Sequence, residues 1–476
     1  MDASTALALA YGGTLGLLAL YGAHRLWMVH RFRWGDRTAE PSMGTWPGVT
    51  VQLPVFNERT VVRRLIRAAG RLSHPGGDLE LQVLDDSTDE TSAIVEEEVA
   101  ALVAAGVDAK VVRRTNRDGF KAGALDHGLS LARHDYLCVF DADFLPEPDF
   151  LERMLPYFAD PGIGMAQARW GHENRDESAL TRAQATLLDG HFVIEHKVRY
   201  DDHLFFNFNG TAGVWRRQTI EEAGGWQHDT LTEDLDLSYR AQLAGWRFHY
   251  ASEVVAPAEL PPGIAAFKSQ QHRWAKGSMQ VVRKLGPRIL GSGEPWRVRR
   301  EALAHLTAYV GAPCVLMMSL LLPLLVDHEL AVPQWLHLLA FFLCTVSVLS
   351  FYEGSQRAIG RGLGERLRDT LMAVVLGTGM CVSQTRAVIE GLLPRTGTFV
   401  RTPKRGDDAE ATPYVALLKG LPGIELALAA WFAWGIAAAL RGGKWGVFPF
   451  LVLFFVSFLW VGGLSLRDAA RARPRV

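Results

Sequence analysis

Residues 79–91 read LELQVLDDSTDET, and this stretch decides the fold. Its first half is a short apolar run of the length and composition of a buried strand. Its second half is acidic, with Asp85, Asp86 and Asp89 around Ser87 and Thr88. TSAIVEEEVAALVAAG (91–106) then follows with apolar residues at helical spacing. A strand that ends in carboxylates and feeds a helix is half of a βαβ unit. The pattern extends in both directions. VTVQLPV (49–55) and RTVVRRLIRAAGRL (59–72) precede it, and AKVVRR (109–114) and YLCVF (136–140) come after it. Strands alternating with helices predict an α/β domain over 46–260, with a mostly parallel sheet covered by helices. Such sheets bind ligands beyond the carboxyl ends of their strands, so the residues just after each strand are the ones to inspect.

They are acidic again after YLCVF, where Asp141-Ala142-Asp143 stands. Two carboxylates at i and i+2 leaving a strand can hold one hard cation whose coordination phosphate oxygens complete. Two solvated turn aspartates would look the same locally. The second acidic cluster, at the end of the preceding strand pattern, favours the ion. A third acidic site, Thr232-Glu233-Asp234, opens the helical pattern LDLSYRAQLAGW. Asp234 reads either as the cap of that helix or as a general base that takes a proton from an attacking hydroxyl. Asp201-Asp202-His203 and Glu96-Glu97-Glu98 read as solvated surface.

The remainder of the chain has a different character. The net charge of −1 gives no global field for nucleic acid. The four cysteines form no CxxC pair, so a disulfide framework or a zinc site is not expected. Apolar runs at about 3–29, 302–326, 333–354, 421–440 and 446–465 are each near the ~20 residues that a bilayer core needs. The segment 371–393 carries Gln384, Arg386 and Glu390, which are costly in lipid. Read as an interface helix or re-entrant segment, it leaves Arg395, Arg401, Lys404, Arg405 and the arginines of the tail on the same side as Arg25, Arg31 and Arg33. The positive-inside rule makes that side cytoplasmic. The expected organisation is a first span over 1–30, a cytoplasmic catalytic domain over 46–260 and interface helices over 261–300. A span pair over 301–355, cytoplasmic interface helices and a loop over 356–414, a second span pair over 415–466 and a basic tail over 467–476 complete it.

QQHRW (270–274) lies where the soluble pattern gives way to the apolar one. On a helix, Gln270, Arg273 and Trp274 fall at i, i+3 and i+4 and share a face. That face could anchor at lipid headgroups, as could Phe267, Lys268 and Lys276. It could equally face a ligand. FNGTAGVWR (208–216) offers Asn209, Gly210 and Thr211, with a glycine that permits close backbone approach. A simple turn is the plainer reading.

PVFNE (54–58), VLDDSTDET (83–91), KAGAL (121–125), FDADF (140–144), QARW (167–170), FNGTAGVWR, AGGW (223–226), TEDLDL (232–237) and QQHRW occur in that order. This constellation, dense over about 50–290, resembles the membrane-embedded family 2 glycosyltransferases of the cellulose synthase group, in particular the cellulose-synthase-like mannan and glucan synthases. Phe399-Val400-Arg401-Thr402-Pro403-Lys404 is similar to that group's gating-loop motif, with Arg401 in place of a valine.

The resemblance implies a GT-A-like domain fused to a helical membrane region. It implies Mg2+ or Mn2+ at Asp141 and Asp143, with Asp143 the direct ligand. Asp85 and Asp86 would sit by the nucleoside and Lys121 by the diphosphate. Asp234, beside Glu233, would be the base of a one-step inverting displacement. Arg273 would fork onto the diphosphate, Trp274 would stack under the acceptor sugar and Gln270 would bond sugar or phosphate oxygens. Thr402 and Lys404 would touch the nucleotide when their loop inserts.

The implied activity is polymerisation of a β-linked glucan or mannan from a nucleotide sugar, coupled to its export through an inner or plasma membrane. UDP-glucose and GDP-mannose both remain open as donors, with a lean to UDP-glucose. A membrane enzyme that adds one sugar to a lipid acceptor is the alternative. An inactive scaffold would be expected to lack carboxylates that this chain retains.

Overall fold

The computed structural model describes residues 3–33, 43–326, 334–394 and 421–471. Strand β1 (Val49–Val55) is buried on both faces, which is why its sequence is nearly continuous in apolar and uncharged residues. Val49, Val51, Leu53 and Val55 enter the core on one face. On the other, the Thr50 hydroxyl donates to Glu80 Oε2 at 2.7 Å, so its polar atom is satisfied where no water reaches. β2 (Leu79–Asp85), β3 (Ala109–Val112), β4 (Tyr136–Val139), β5 (Ile163–His172), β6 (Gly213–Arg216) and β7 (Arg247–Ala258) complete a seven-stranded sheet. The spatial order is β3-β2-β1-β4-β6-β5-β7.

The pairs β1–β2, β2–β3, β1–β4 and β5–β7 are parallel, as the alternating pattern predicts. β6 is the exception and runs antiparallel to both β4 and β5. Its four residues are too few to show an alternation in the sequence. Trp215, fully buried and edge-on to Phe208 at 5.5 Å, locks it in place. The chain moves outward from β1 to β2 and β3, then returns to β4 on the other side. The carboxyl ends of β1, β2 and β4 therefore open at the switch point of the sheet, where ligands bind in such folds.

Two acidic residues expected at the surface are inside. Glu98 is 5% exposed and takes the Arg67 Nε–H at 2.7 Å, and Asp202 is 7% exposed and takes the Arg31 Nε–H at 3.0 Å. In each case an arginine from another helix supplies the charge that permits burial.

Among the described residues, four helices are long and apolar enough to cross a membrane: Thr5–Arg31, Ala308–Val326, Pro422–Arg441 and Phe448–Arg471. The expected span at 333–354 overlaps the helix Gln334–Ala358, which is not one of these four. That helix lies so close to the first that a Cβ on Gly22 would come 2.7 Å from the Leu343 carbonyl oxygen. The segment set apart at 371–393 is two helices, Leu363–Gly379 and Cys381–Leu392, bent by 51°. This is the shape of a broken span or a re-entrant loop.

Between the sheet and this helical region runs the helix Ile264–Leu290. Phe267, Lys268 and Lys276, expected as headgroup anchors, are instead buried in protein. Lys276 reaches Glu390 at 3.2 Å, and Lys268 reaches the membrane helices.

Candidate active site

A cleft of about 200 Å3 opens at the carboxyl ends of β1, β2 and β4 and is closed from above by the helix Ile264–Leu290. Asp141 and Asp143 stand in it where the chain leaves β4. The Asp141 backbone N–H donates to Thr211 Oγ1 at 2.9 Å, which fixes the turn. Its carboxylate takes Lys121 Nζ at 2.5 Å, and the same ammonium donates to the Gly210 carbonyl at 2.8 Å. Burial works against the Lys121 charge. Asp141, Glu233 and Asp234 outweigh it and hold this amine above the usual lysine value.

Asp234 faces the same space. It does not cap its helix, because Thr232 occupies the cap position of Glu233–Leu243. Asp234 lies in the first turn, where its Oδ1 accepts the Leu235 N–H at 2.8 Å. Burial first, and then the charge of Glu233, push its carboxyl up to about 7. Glu233 is raised as well, chiefly by burial. Gly210 makes room for this carboxylate. Its φ is +82°, and a Cβ there would come 2.9 Å from Asp234 Oδ2.

Asn209 lines the cleft next to it, with its backbone N–H on Gln167 Oε1 at 2.9 Å and its side-chain amide donating to His196 Nε2 at 2.9 Å. Thr211 is fully buried and supports Asp141 from behind rather than facing the cleft.

Gln270, Arg273 and Trp274 share the face of their helix that closes the cleft. His272, on another face, points to Glu390 at 3.2 Å. Trp274 lies 6.3 Å from Trp170, ring centre to ring centre, so two indoles border one end of the space.

Asp86 lines the cleft. Asp85 does not. It is 3% exposed, takes the Ser87 N–H at 3.0 Å and Arg113 Nη2 at 3.1 Å, and braces the end of β2 from behind. Thr402 and Lys404 fall outside the described residues.

Several lining residues escaped the sequence reading: Phe56 and Glu58 after β1, Arg117 after β3, and Trp170 and His172 at the end of β5. Arg114 also escaped it. It grips Asp86 with Nε at 2.8 Å and Nη2 at 2.5 Å. All follow or end strands, so the rule that found Asp141 would have found them had basic and aromatic residues been weighed with the acidic ones.

The donor set suits a hard divalent ion. Two carboxylates leave one strand end, and oxygen is the only ligand type they offer. Among the described residues no three His, Cys, Asp or Glu side chains gather as a complete metal site. Asp141 and Asp143 are the residues that would hold such an ion, and phosphate oxygens are suitable further ligands for it.

Comparison with known proteins agrees with this geometry. Residues 47–277 match the family model described as glycosyltransferase like family 2. The chain is 38% identical over 371 residues to glucomannan 4-beta-mannosyltransferase 2 of Arabidopsis thaliana, spanning 71% of this chain and 70% of that protein. To probable glucomannan 4-beta-mannosyltransferase 9 of Oryza sativa subsp. japonica it is 34% identical over 443 residues, spanning 88% and 81%. The mannosyltransferase PcManGT from Pyrobaculum calidifontis, solved in complex with GDP-Man and Mn2+, has the same fold. Its TM-score is 0.54 at 20% identity, over 83% of this chain and 99% of that one. With its DxD turn, its TED helix start and its QxxRW helix around one cleft, the chain belongs to glycosyltransferase family 2, in the cellulose-synthase-like group of the glucomannan 4-beta-mannosyltransferases.

Proposed function

We propose that the protein is a processive, inverting glycosyltransferase that polymerises a β-1,4-linked mannan-type chain from GDP-mannose and passes it out through its membrane helices. One observation carries the reading. A buried carboxyl held near 7, Asp234, shares a cleft with the Asp141–Lys121 pair and with Trp274 on the helix that leads to the membrane region. The relatives' mannosyl names, together with GDP-Man in the structure that shares the fold, favour mannose over the glucose that the sequence first suggested.

In this reading the acceptor sugar stacks on Trp274, whose amphipathic ring suits a half-wet site. Gln270 and Asn209 orient its hydroxyls. Asp234 takes the proton of the attacking hydroxyl. The acceptor oxygen bonds to the anomeric carbon as the bond from that carbon to the phosphate oxygen breaks, on the opposite face. This gives inversion in one step, with no covalent intermediate on the enzyme. Arg273 and Lys121 receive the charge that develops on the leaving diphosphate. Asp143 and Asp141 would hold a divalent ion, Mg2+ or Mn2+, which supplies further charge neutralisation there. The catalytic domain lies on the cytoplasmic side, since Arg25, Arg31 and Arg33 close the first membrane helix.

The test is the size and chemistry of the product. Protein in lipid nanodiscs is given Mn2+ or Mg2+ with labelled GDP-mannose or UDP-glucose. Long chains that an endo-β-1,4-mannanase degrades are expected from GDP-mannose. Label that extracts into organic solvent as a one-sugar product would overturn polymerisation, and incorporation from UDP-glucose alone would overturn the donor.

A further inference from the structure

The end of the cleft lined by Asp86 holds a cation for which the proposed mechanism has no use. Arg117 lies on the loop between β3 and the helix Phe120–Leu131, and it lines the cleft with Phe56, Glu58 and Asp86. Its guanidinium carbon stands 3.2 Å from the centre of the Phe56 ring and 5.1 Å from that of Phe120. A guanidinium stacked in this way has its face covered, and what it still offers is the in-plane N–H edge. Its Nε–H is buried and has no hydrogen-bond partner. Buried donors in folded proteins are nearly always met, so an orphan at the wall of a cleft points to a ligand.

The loop is fixed around this side chain. Arg114 grips Asp86 and also donates to the carbonyls of Asp118 and Phe120, each at 2.6 Å, on the C-terminal side of Arg117. The turn demands two successive left-handed residues, Gly119 at φ +72° and Phe120 at φ +51°. For a bulky residue such as Phe120 that conformation is strained, which is a feature of sites whose geometry is set in advance. The cations of the cleft also divide between its ends. Lys121 is surrounded by Asp141, Glu233 and Asp234, whereas the charges near Arg117 are those of Asp86 and Arg114. With the phosphates at the first end, as the proposed mechanism has them, the second is left for the nucleoside.

We infer that Arg117 reads the base of the donor nucleotide and selects guanine over uracil. Guanine presents O6 and N7 as two acceptors side by side, and a guanidinium edge meets both at once. Uracil presents O4 beside a C–H and can satisfy only half of the fork. The inference rests on the proposed GDP-mannose donor and assigns its recognition to a residue outside the catalytic group.

The experiment titrates the full-length protein in nanodiscs with GDP, 7-deaza-GDP and UDP in the presence of Mn2+. It uses wild type, Arg117→Ala and Arg117→Lys. Both variants should bind GDP roughly 10- to 100-fold more weakly, as the loss of a bidentate base contact implies. UDP affinity should fall much less than GDP affinity, and an unchanged thermal midpoint shows that the variants fold. The penalty for replacing N7 should be present in wild type and absent in Arg117→Ala. An equal loss of GDP and UDP would make Arg117 a phosphate contact or a loop strut and overturn the inference. So would an unchanged GDP affinity, or the same 7-deaza penalty in both proteins. Incorporation from UDP-glucose alone would sink the donor reading and this one together. Incorporation from GDP-mannose, with variants indifferent to the base, would sink only this one.

Discussion

Lys268 and Glu425 form a buried ion pair, Nζ to Oε1 2.5 Å, with side chains 2% and 0% exposed. Ser465 accepts from the same ammonium at 2.7 Å. The cluster ties the helix that carries Gln270, Arg273 and Trp274 to two membrane helices far away in sequence. Removing one member of such a pair strands the other charge. Lys268→Met should therefore cost about 3–5 kcal/mol, and adding Glu425→Gln should recover part of it. Thermal unfolding of the single and double variants in one detergent checks this. Strictly additive effects would show that the two residues do not act together.

Asp234 held near 7 gives the reaction a pH signature. The base form appears as pH rises, so kcat/KM should climb through about pH 7 and level off above it. Asp234→Asn should reduce transfer by roughly 10²- to 10⁴-fold, the usual range for a general base, while GDP binding changes little. The folded carboxyl holds its proton more tightly than the unfolded one, whose value is 3.8. This residue's contribution to stability should therefore fall as pH rises from about 4 to about 7. Asn at this position removes that slope. Chemical denaturation at several pH values reads it directly, and an unchanged slope would contradict the shift.

Gly210→Ala tests the fit between a backbone and a carboxylate. The new methyl group would come within 2.9 Å of Asp234 Oδ2, at a residue whose φ is +82°. Strain of about 1–3 kcal/mol is expected. Activity should fall further than that instability explains at a temperature where the variant remains folded. Circular dichroism beside a transfer assay separates the two, and full activity would show that Asp234 tolerates displacement.

Trp274 and His272 are near neighbours with opposite outlooks, one into the cleft and one towards Glu390. Trp274→Ala should reduce acceptor elongation more than hydrolysis of the donor, because in the proposed mechanism this ring stacks on the acceptor sugar alone. His272→Ala should leave the ratio of the two rates unchanged. Equal loss of both activities in Trp274→Ala would make that tryptophan a structural element.

The sheet and much of the site were legible because they rest on periodicity and on strand ends. Asp86, Asp141, Asp143 and Lys121 follow buried strands or open the next helix. Helical spacing put Gln270, Arg273 and Trp274 on one face, and the family resemblance, which also singled out Lys121, aimed that face at a ligand. Asp85 was misplaced because adjacent residues at a strand end point to opposite sides, and the sequence does not say which carboxylate faces the ligand. Glu98 looked solvent-facing and Lys268 looked like a headgroup anchor because their partners, Arg67 and Glu425, come from other helices. Composition favours exposure for a charged side chain, and only tertiary contact reverses it. β6 was hidden for a related reason: four residues, three of them buried, carry no alternation to read.

Lys268 and Trp274 stand six positions apart on one uninterrupted helix, about 9 Å along its axis at 1.5 Å per residue. A regular helix of that length transmits force with little give. A tilt or slide of the two helices that hold Lys268 would be delivered to the Trp274 indole at the cleft wall without a compliant joint to absorb it.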